Sequence, residues 1–400
     1  MSRRYRILSA FTVVIVLIAS LAGCATYDAF YDEFIDQSPE TYETVKIGVF
    51  EPLSGADKAF GELEKIGIEL AKEVQPYCMG KEVELIYADN QSDIYVAENA
   101  IQELISKKPA VILGSYGSVY SLVASKYIQE AQIPMITITN KNPLVTGGNP
   151  YYFRVCFVDT YQGISLAKYT VEGRQVLQAA IMRPSGDDLA TAISQSYEEK
   201  MMQMLGDTNA IAATVEYRPG AQDFTEQIEK IKATGVKAVL LLATPADAIK
   251  IITQARKLDA GCIFLGTDDW NTDEFLQGID KDAAPLAVFC TLYDTELEAN
   301  STADVFLKAY KAKYGQDAEP APEMALGFDA YMLAVDALNR IGTVRDGELL
   351  RESLASTFQF PGASGNITFD SKGDPMKSVA IKGIIEGEFH NIYTMEPIFQ

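Results

Sequence analysis

From Thr44 onward the chain alternates short apolar runs with amphipathic stretches. The apolar runs predict strands at Val45–Phe50, Val83–Ala88, Ala110–Gly114, Pro134–Ile138, Val176–Met182, Ala213–Tyr217 and Val236–Ala243. Between them, apolar residues recur at helical spacing over Lys58–Gln75, Ile94–Ser106, Val119–Ala131, Gly163–Glu172, Ala190–Leu205, Phe224–Ala233 and Ala246–Leu258. Near-continuous Val/Ile/Leu strands separated by helices are the pattern of parallel sheets covered on both faces. Breakers at Lys108-Pro109, Gly114, Gly235 and Gly266 fall where βα units turn. The expected class is therefore α/β, with one doubly wound block before about Asp159 and a second after it. The segment Tyr151–Gln162, YYFRVCFVDTYQ, joins the blocks without a Gly/Ser linker, which implies a strand passing through a hinge. Ligands of open α/β sheets bind beyond the carboxyl ends of the strands, so two such sheets place the natural site in the cleft between them.

The first residues have a different pattern. Arg3, Arg4 and Arg6 precede an apolar run from Ile7 to about Leu21, and small residues lead to Cys24. This is the layout of a secretory signal peptide, residues 1–24. The run is short for a transmembrane helix, which needs about 20 apolar residues. The closing Leu21-Ala22-Gly23-Cys24 resembles the lipobox of bacterial lipoproteins, which implies a lipidated Cys24 at the mature N-terminus. Residues 25–43 have no clear period and read as a tether; Tyr27, Phe30, Tyr31 and Phe34 offer a docking motif as the alternative.

Composition narrows the function classes. The chain has 400 residues, 48% of them hydrophobic, enough for a large core divided between two lobes. Its 34 Lys+Arg against 55 Asp+Glu give a net charge of −21, which disfavours nucleic acid as a partner. A single histidine excludes every multi-histidine metal site. There is no P-loop, HExxH, CxxC or GxSxG pattern, and Gly114-Ser115-Tyr116-Gly117 lacks dinucleotide-fingerprint spacing. His390, in a GEFHN segment that reads as a hairpin turn, is expected at the surface. Asp268 and Asp269 are adjacent, and on an extended segment they would point to opposite sides. Nothing activates a nucleophile, so the expectation is a binding protein without catalytic residues, cofactor or metal. The four cysteines after Cys24 (Cys78, Cys156, Cys262 and Cys290) permit two disulfides in three pairings, or buried thiols.

An ordered set of segments then carries a resemblance: Ile47–Gly55, Gly61–Glu64, Gly67–Ala71, Gly114–Tyr120, Ile133–Thr146, Phe153–Phe157, Gly266–Trp270 and Gly327–Ala330. Together they resemble the leucine/isoleucine/valine-binding group of bacterial solute-binding proteins, over essentially all of residues 44–400. The resemblance implies the type I periplasmic-binding fold, two doubly wound parallel-sheet lobes joined by three hinge crossovers. The lobes would be residues 44–158 plus 291–377 and residues 159–290 plus 378–400, with crossovers near Asp159, Cys290 and Ser378. It further implies a monomer outside the cytoplasm, lipid-anchored through Cys24, that binds an apolar or branched-chain amino acid and delivers it to a permease with ATPase subunits.

Carried over residue by residue, Ser118 aligns with the hydroxyl that meets the ligand carboxylate, with an ordinary helix N-cap as the other reading. Thr139 aligns with the carbonyl that takes the ligand ammonium, with Asn140 beside it. Asp268 aligns with the carboxylate that pairs with that ammonium, with a loop aspartate capping the next helix as the other reading. Lys141 departs from the family, which has threonine there; either it turns outward or the ligand carries extra negative charge. For the ligand's tail the candidates are Phe60, Trp270 and Tyr116; the lone tryptophan beside Asp268 reads as a lid, with core packing as the alternative. Leu189 stands where many relatives have tyrosine, and Glu323 is a further candidate for the cleft. A sensory component signalling through a membrane partner, and a binder of a short amide or acidic solute, are the alternatives.

Overall fold

The computed structural model describes residues 43–291, 293–294 and 300–397. The signal peptide, Cys24 and all but the last residue of the tether lie outside the described residues. Among the described residues no helix is long and apolar enough to cross a membrane.

The first sheet is built from β1 (Thr44–Glu51), β2 (Tyr77–Cys78), β3 (Lys81–Asp89), β4 (Val111–Gly114), β5 (Met135–Thr137) and β6 (Tyr152–Arg154), in the order β2-β3-β1-β4-β5-β6. Only the short β2 runs antiparallel to its neighbour. Between the strands lie α1 (Lys58–Val74), α2 (Ile94–Ser106) and α3 (Ser118–Ala131). The helix α2 starts and stops where its pattern predicts, because Asp93 accepts hydrogen bonds from the Tyr95 and Val96 amides and caps the first turn.

The chain then crosses to a second unit: α4 (Asp159–Lys168), β7 (Ala179–Pro184), α5 (Asp188–Leu205), β8 (Ile211–Tyr217), α6 (Thr225–Thr234), β9 (Ala238–Leu241), α7 (Pro245–Lys257), β10 (Ile263–Gly266), α8 (Asp273–Gly278) and β11 (Ala287–Thr291). It returns for α9 (Ser301–Tyr314), α10 (Pro322–Ile341), α11 (Gly347–Ala355) and the small sheet of β12 (Phe360–Gly362), β13 (Gly365–Phe369) and β14 (Pro375–Met376). It crosses once more into β15 (Val379–Ile385) and β16 (Glu388–Met395). The second sheet has the order β16-β15-β11-β10-β9-β7-β8, with β15 and β16 antiparallel. The molecule is thus two α/β lobes between which the chain passes three times.

The sheets are buried on both faces. Along β7 and β9, Ala180, Met182, Val239 and Leu241 enter one core, while Ala179, Ile181, Ala238 and Leu240 enter the core on the opposite face. The three crossings are tied together. Lys377 donates to the Val155 carbonyl at 3.2 Å, Tyr161 donates to the Lys377 carbonyl at 3.2 Å, and Lys382 pairs with Asp294 at 2.7 Å.

Several local expectations shift. The strand β7 begins at Ala179, three residues late, because its register is set by pairing with β8, from Ala179 opposite Ile211 to Pro184 opposite Tyr217. The segment Tyr151–Gln162 is not one strand: β6 ends at Arg154 and α4 starts at Asp159. His390 sits within β16, not in the turn, which is formed by Glu386 and Gly387 with positive φ. All four cysteines are buried free thiols, so neither disulfide forms.

The helices α1 and α10 pack on each other through two glycines. A Cβ added to Gly67 would overlap the Met324 carbonyl oxygen, and one on Gly327 would overlap the Glu64 carbonyl oxygen. Gly67→Val is therefore expected to lower stability by about 2 kcal/mol in urea denaturation, whereas Gly148→Ala, in open space, leaves it unchanged. Equal midpoints for the two variants would show that the helices have room to separate.

Candidate functional site

The carboxyl ends of the central strands of both sheets open onto one cleft of about 1220 Å³. The turn after β4 supplies Tyr116 and Ser118, the loop after β5 supplies Thr139 and Lys141, and the turn after β10 supplies Asp268 and Asp269. Phe60, Asp159, Leu189, Thr291 and Glu323 line the same cleft. The location is the one the open-sheet rule gives.

Lys141 dominates the head-group end. Its side chain does not turn outward; it reaches across the cleft and donates to both oxygens of Asp268, at 3.0 and 2.9 Å. Asp269 lies 3.8 Å and Asp159 4.0 Å from the same ammonium. Burial works against the charged lysine, but the three carboxylates outweigh it and hold its pKa above the ordinary range. Burial raises the carboxyl of Asp159, against the pull of Lys141. One ammonium cannot neutralise three carboxylates.

Both arms of this contact are positioned from behind. Arg154, fully buried, donates to the carbonyls of Asn140 and Asn142 and to the Thr146 hydroxyl, and its Nε meets Asp374 at 2.6 Å. It clamps the loop that carries Lys141. On the other lobe the Asp268 amide donates to Gln162 Oε1 at 3.0 Å.

Trp270 is a correction. It is 0% exposed and lies in the second lobe's core, not over the ligand. Its ring occupies the space a Cβ on Gly266 would take, stacks on Phe275 at 5.0 Å, and its Nε1 donates to the Ala243 carbonyl at 2.9 Å. The indole thereby anchors a 3-10 turn, Asp268–Trp270. That turn corrects a second expectation: Asp268 and Asp269 do not diverge as on an extended segment, and both face Lys141. Asn140 is a third correction, being fully buried with its amide donating to the Ser115 carbonyl, so it supports the cleft without lining it.

The other sequence candidates line the cleft. Phe60 and Tyr116 stack at 4.6 Å with their rings 6° from parallel. Leu189 opens the helix α5 and is 49% exposed. Ser118 is the first residue of α3 but not its cap, which is Gly117; its hydroxyl accepts the Asn142 amide at 3.4 Å. The Thr139 hydroxyl donates to Glu64.

Glu64 belongs to a feature that the sequence reading missed. It lies near Glu51 beneath the cleft floor, both residues 0% exposed. Glu51 Oε1 and Glu64 Oε2 accept no hydrogen bond from the described residues, the arrangement in which two buried carboxyls share a proton. Burial is the main cause that pushes Glu64 up to about 8 and raises Glu51 well above its usual range. Glutamates at β1 and α1 look solvated in sequence; only the fold shows them facing each other.

Folding therefore takes up a proton between the ordinary glutamate range and pH 8. Stability contributed by this pair is present at low pH and falls as pH rises toward 8. Urea denaturation across that window should show the wild type losing stability relative to Glu64→Gln, whose amide needs no shared proton. Parallel pH profiles would rule the shared proton out.

Comparison with known proteins places this geometry. Residues 44–382 match the family described as periplasmic binding protein. The Leu/Ile/Val-binding protein homolog 2 of Brucella abortus is 27% identical over 348 residues, 84% of this chain and 89% of that protein. The crystal structure of the leucine-binding protein LivK from Thermotoga maritima is similar with a TM-score of 0.71 and 32% identity, covering 88% of this chain and 99% of that one. That of LivJ from Streptococcus pneumoniae, a branched-chain amino acid transporter substrate-binding protein in complex with isoleucine, gives 0.69 and 26%, covering 89% and 99%. The chain has the two-lobed type I fold of these relatives and belongs to the periplasmic binding protein family.

Proposed function

We propose that the protein is the extracytoplasmic solute-binding lipoprotein of an ABC importer, capturing an amino acid or a close derivative with an apolar side chain and delivering it to a permease. The observation that carries this reading is the cleft itself. Strand ends from both lobes converge on it, charged groups gather at Lys141, Asp159, Asp268 and Asp269, and Phe60, Tyr116 and Leu189 offer apolar surface. In this reading residues 44–158 plus 291–377 form one lobe and residues 159–290 plus 378–400 the other. The crossings near Asp159, Cys290 and Ser378 act as the hinge that closes them. The names of the relatives support an amino-acid-type ligand.

Calorimetry on the chain from residue 25 onward, unfolded and refolded to strip carried-over ligand, is expected to show saturable one-to-one binding of an apolar amino acid or its derivative. Small-angle scattering at saturation should show compaction. Binding without compaction would remove the hinge mechanism, and silence across all such compounds would remove the capture reading.

The membrane anchor has its own test. In a bacterial host the full chain should incorporate labelled fatty acid and fractionate with membranes, and Cys24→Ser should abolish the label. Unchanged labelling of that variant would exclude Cys24 as the lipid attachment point.

A further inference from the structure

We propose that the ligand carries net positive charge: an α-amino amide or amine with an apolar tail, its ammonium held by Asp159 and Asp269 beside the Lys141–Asp268 pair. This rests on the capture reading above and names the ligand class for that same cleft.

The argument begins with a charge count. Among the described residues lining the cleft, Asp159, Asp188, Asp268, Asp269 and Glu323 are carboxylates and Lys141 is the one cation. That cation is already engaged, with both Asp268 oxygens at hydrogen-bond distance. A zwitterionic amino acid would bring a carboxylate into this cleft. It would find no free cation there, and it would lose hydration among groups of its own sign. An amide carbonyl makes no such demand. A neutral donor is enough, and the Ser118 hydroxyl, whose oxygen accepts one long bond from Asn142, faces the same space.

The ligand's amino group is in the opposite position. Asp159 and Asp269 lie 4.0 and 3.8 Å from Lys141, beyond direct hydrogen bonding to it. The Asp159 side chain is only 11% exposed, and its one described hydrogen bond is from Gln162 at 3.3 Å. Asp269 presents 62% of its side chain to the opening. Glu323, at the start of α10, has no ion pair among the described residues. The cage already holds one ammonium, that of Lys141, and retains negative charge for a second. Complementarity of charge selects the partner that supplies it.

Lys141 and the neighbouring Asp268-Asp269 pair then make one arrangement. Lys141 neutralises Asp268, and the acidic surplus moves to Asp159 and Asp269. In this chain those two, and not Asp268 alone, determine which head group is accepted.

The test is a matched series at about pH 6.5, where the amino group is protonated. Leucinamide, leucine and 4-methylpentanoate share one tail; phenylalaninamide, phenylalanine and 3-phenylpropanoate share another. Calorimetry on the ligand-stripped chain should give each amide at least about tenfold tighter binding than its amino acid, and no binding of the deaminated acids. Lys141→Met should tighten binding of the amides, and Asp269→Asn, at an exposed carboxylate where folding is undisturbed, should weaken it. An amino acid that binds as tightly as its own amide overturns the charge proposal and leaves the capture reading intact. Silence of both series, in the wild type and in Lys141→Met, overturns the capture reading and the proposal with it.

Discussion

Placing three carboxylates around one ammonium in a cleft between two lobes is the constraint on which the site depends. An ammonium or a carboxylate removed from water costs several kcal/mol unless a partner meets it in good geometry. Lys141 and Asp268 satisfy that requirement only because each is held by its own lobe. Arg154 fixes the loop carrying the lysine through two backbone carbonyls and the Thr146 hydroxyl. On the facing lobe, Trp270 and Gln162 fix the turn carrying the aspartates. Displacing either support would leave a charge partly unpaired, so these buried residues hold the cross-cleft pair without lining the cleft.

The fold was legible because its signals agree at several levels. At α2 the apolar period, the Asp93 cap and the following Lys-Lys-Pro break all indicate the same helix, and it forms over Ile94–Ser106. Strands such as β9 read correctly since burial on both faces leaves no polar alternation to confuse them. Boundaries failed where tertiary pairing decides. The residues Val176 and Leu177 are apolar enough to extend β7, yet its pairing with β8 starts at Ala179.

Site residues were legible by type and less so by role. Ser118, Thr139, Lys141 and Asp268 do converge on the cleft. A lone tryptophan beside a cleft aspartate has the pattern of a lid, yet Trp270 packs in the core. The informative residue was Gly266, whose missing side chain makes room for the indole on the core side. Asp269 was set aside on the assumption of extended backbone, and a 3-10 turn overrides that assumption. The Glu51–Glu64 pair carries no sequence signal at all, since nothing along the chain relates residue 51 to residue 64 except the packing of β1 beneath α1.

The strength of the cross-cleft pair also bears on how the protein works. With the lysine side chain 25% exposed and Asp268 9% exposed, the contact lies between the surface and the buried regimes. A fully buried pair would lock the lobes together, because separating it would leave charges uncompensated in an apolar medium. A fully exposed pair would contribute at most about 1 kcal/mol and leave the empty lobes unlinked. The intermediate case suits the hinged cleft of the proposed capture mechanism, since water would reach both partners as the lobes part and replace the lost hydrogen bonds. On the proposal made above, the charge on Asp159 and Asp269 that Lys141, already engaged with Asp268, does not neutralise is what attracts an entering cation. In the capture reading proposed above, closure on a cationic ligand is then favoured over closure on an empty cleft by the charge the ligand adds.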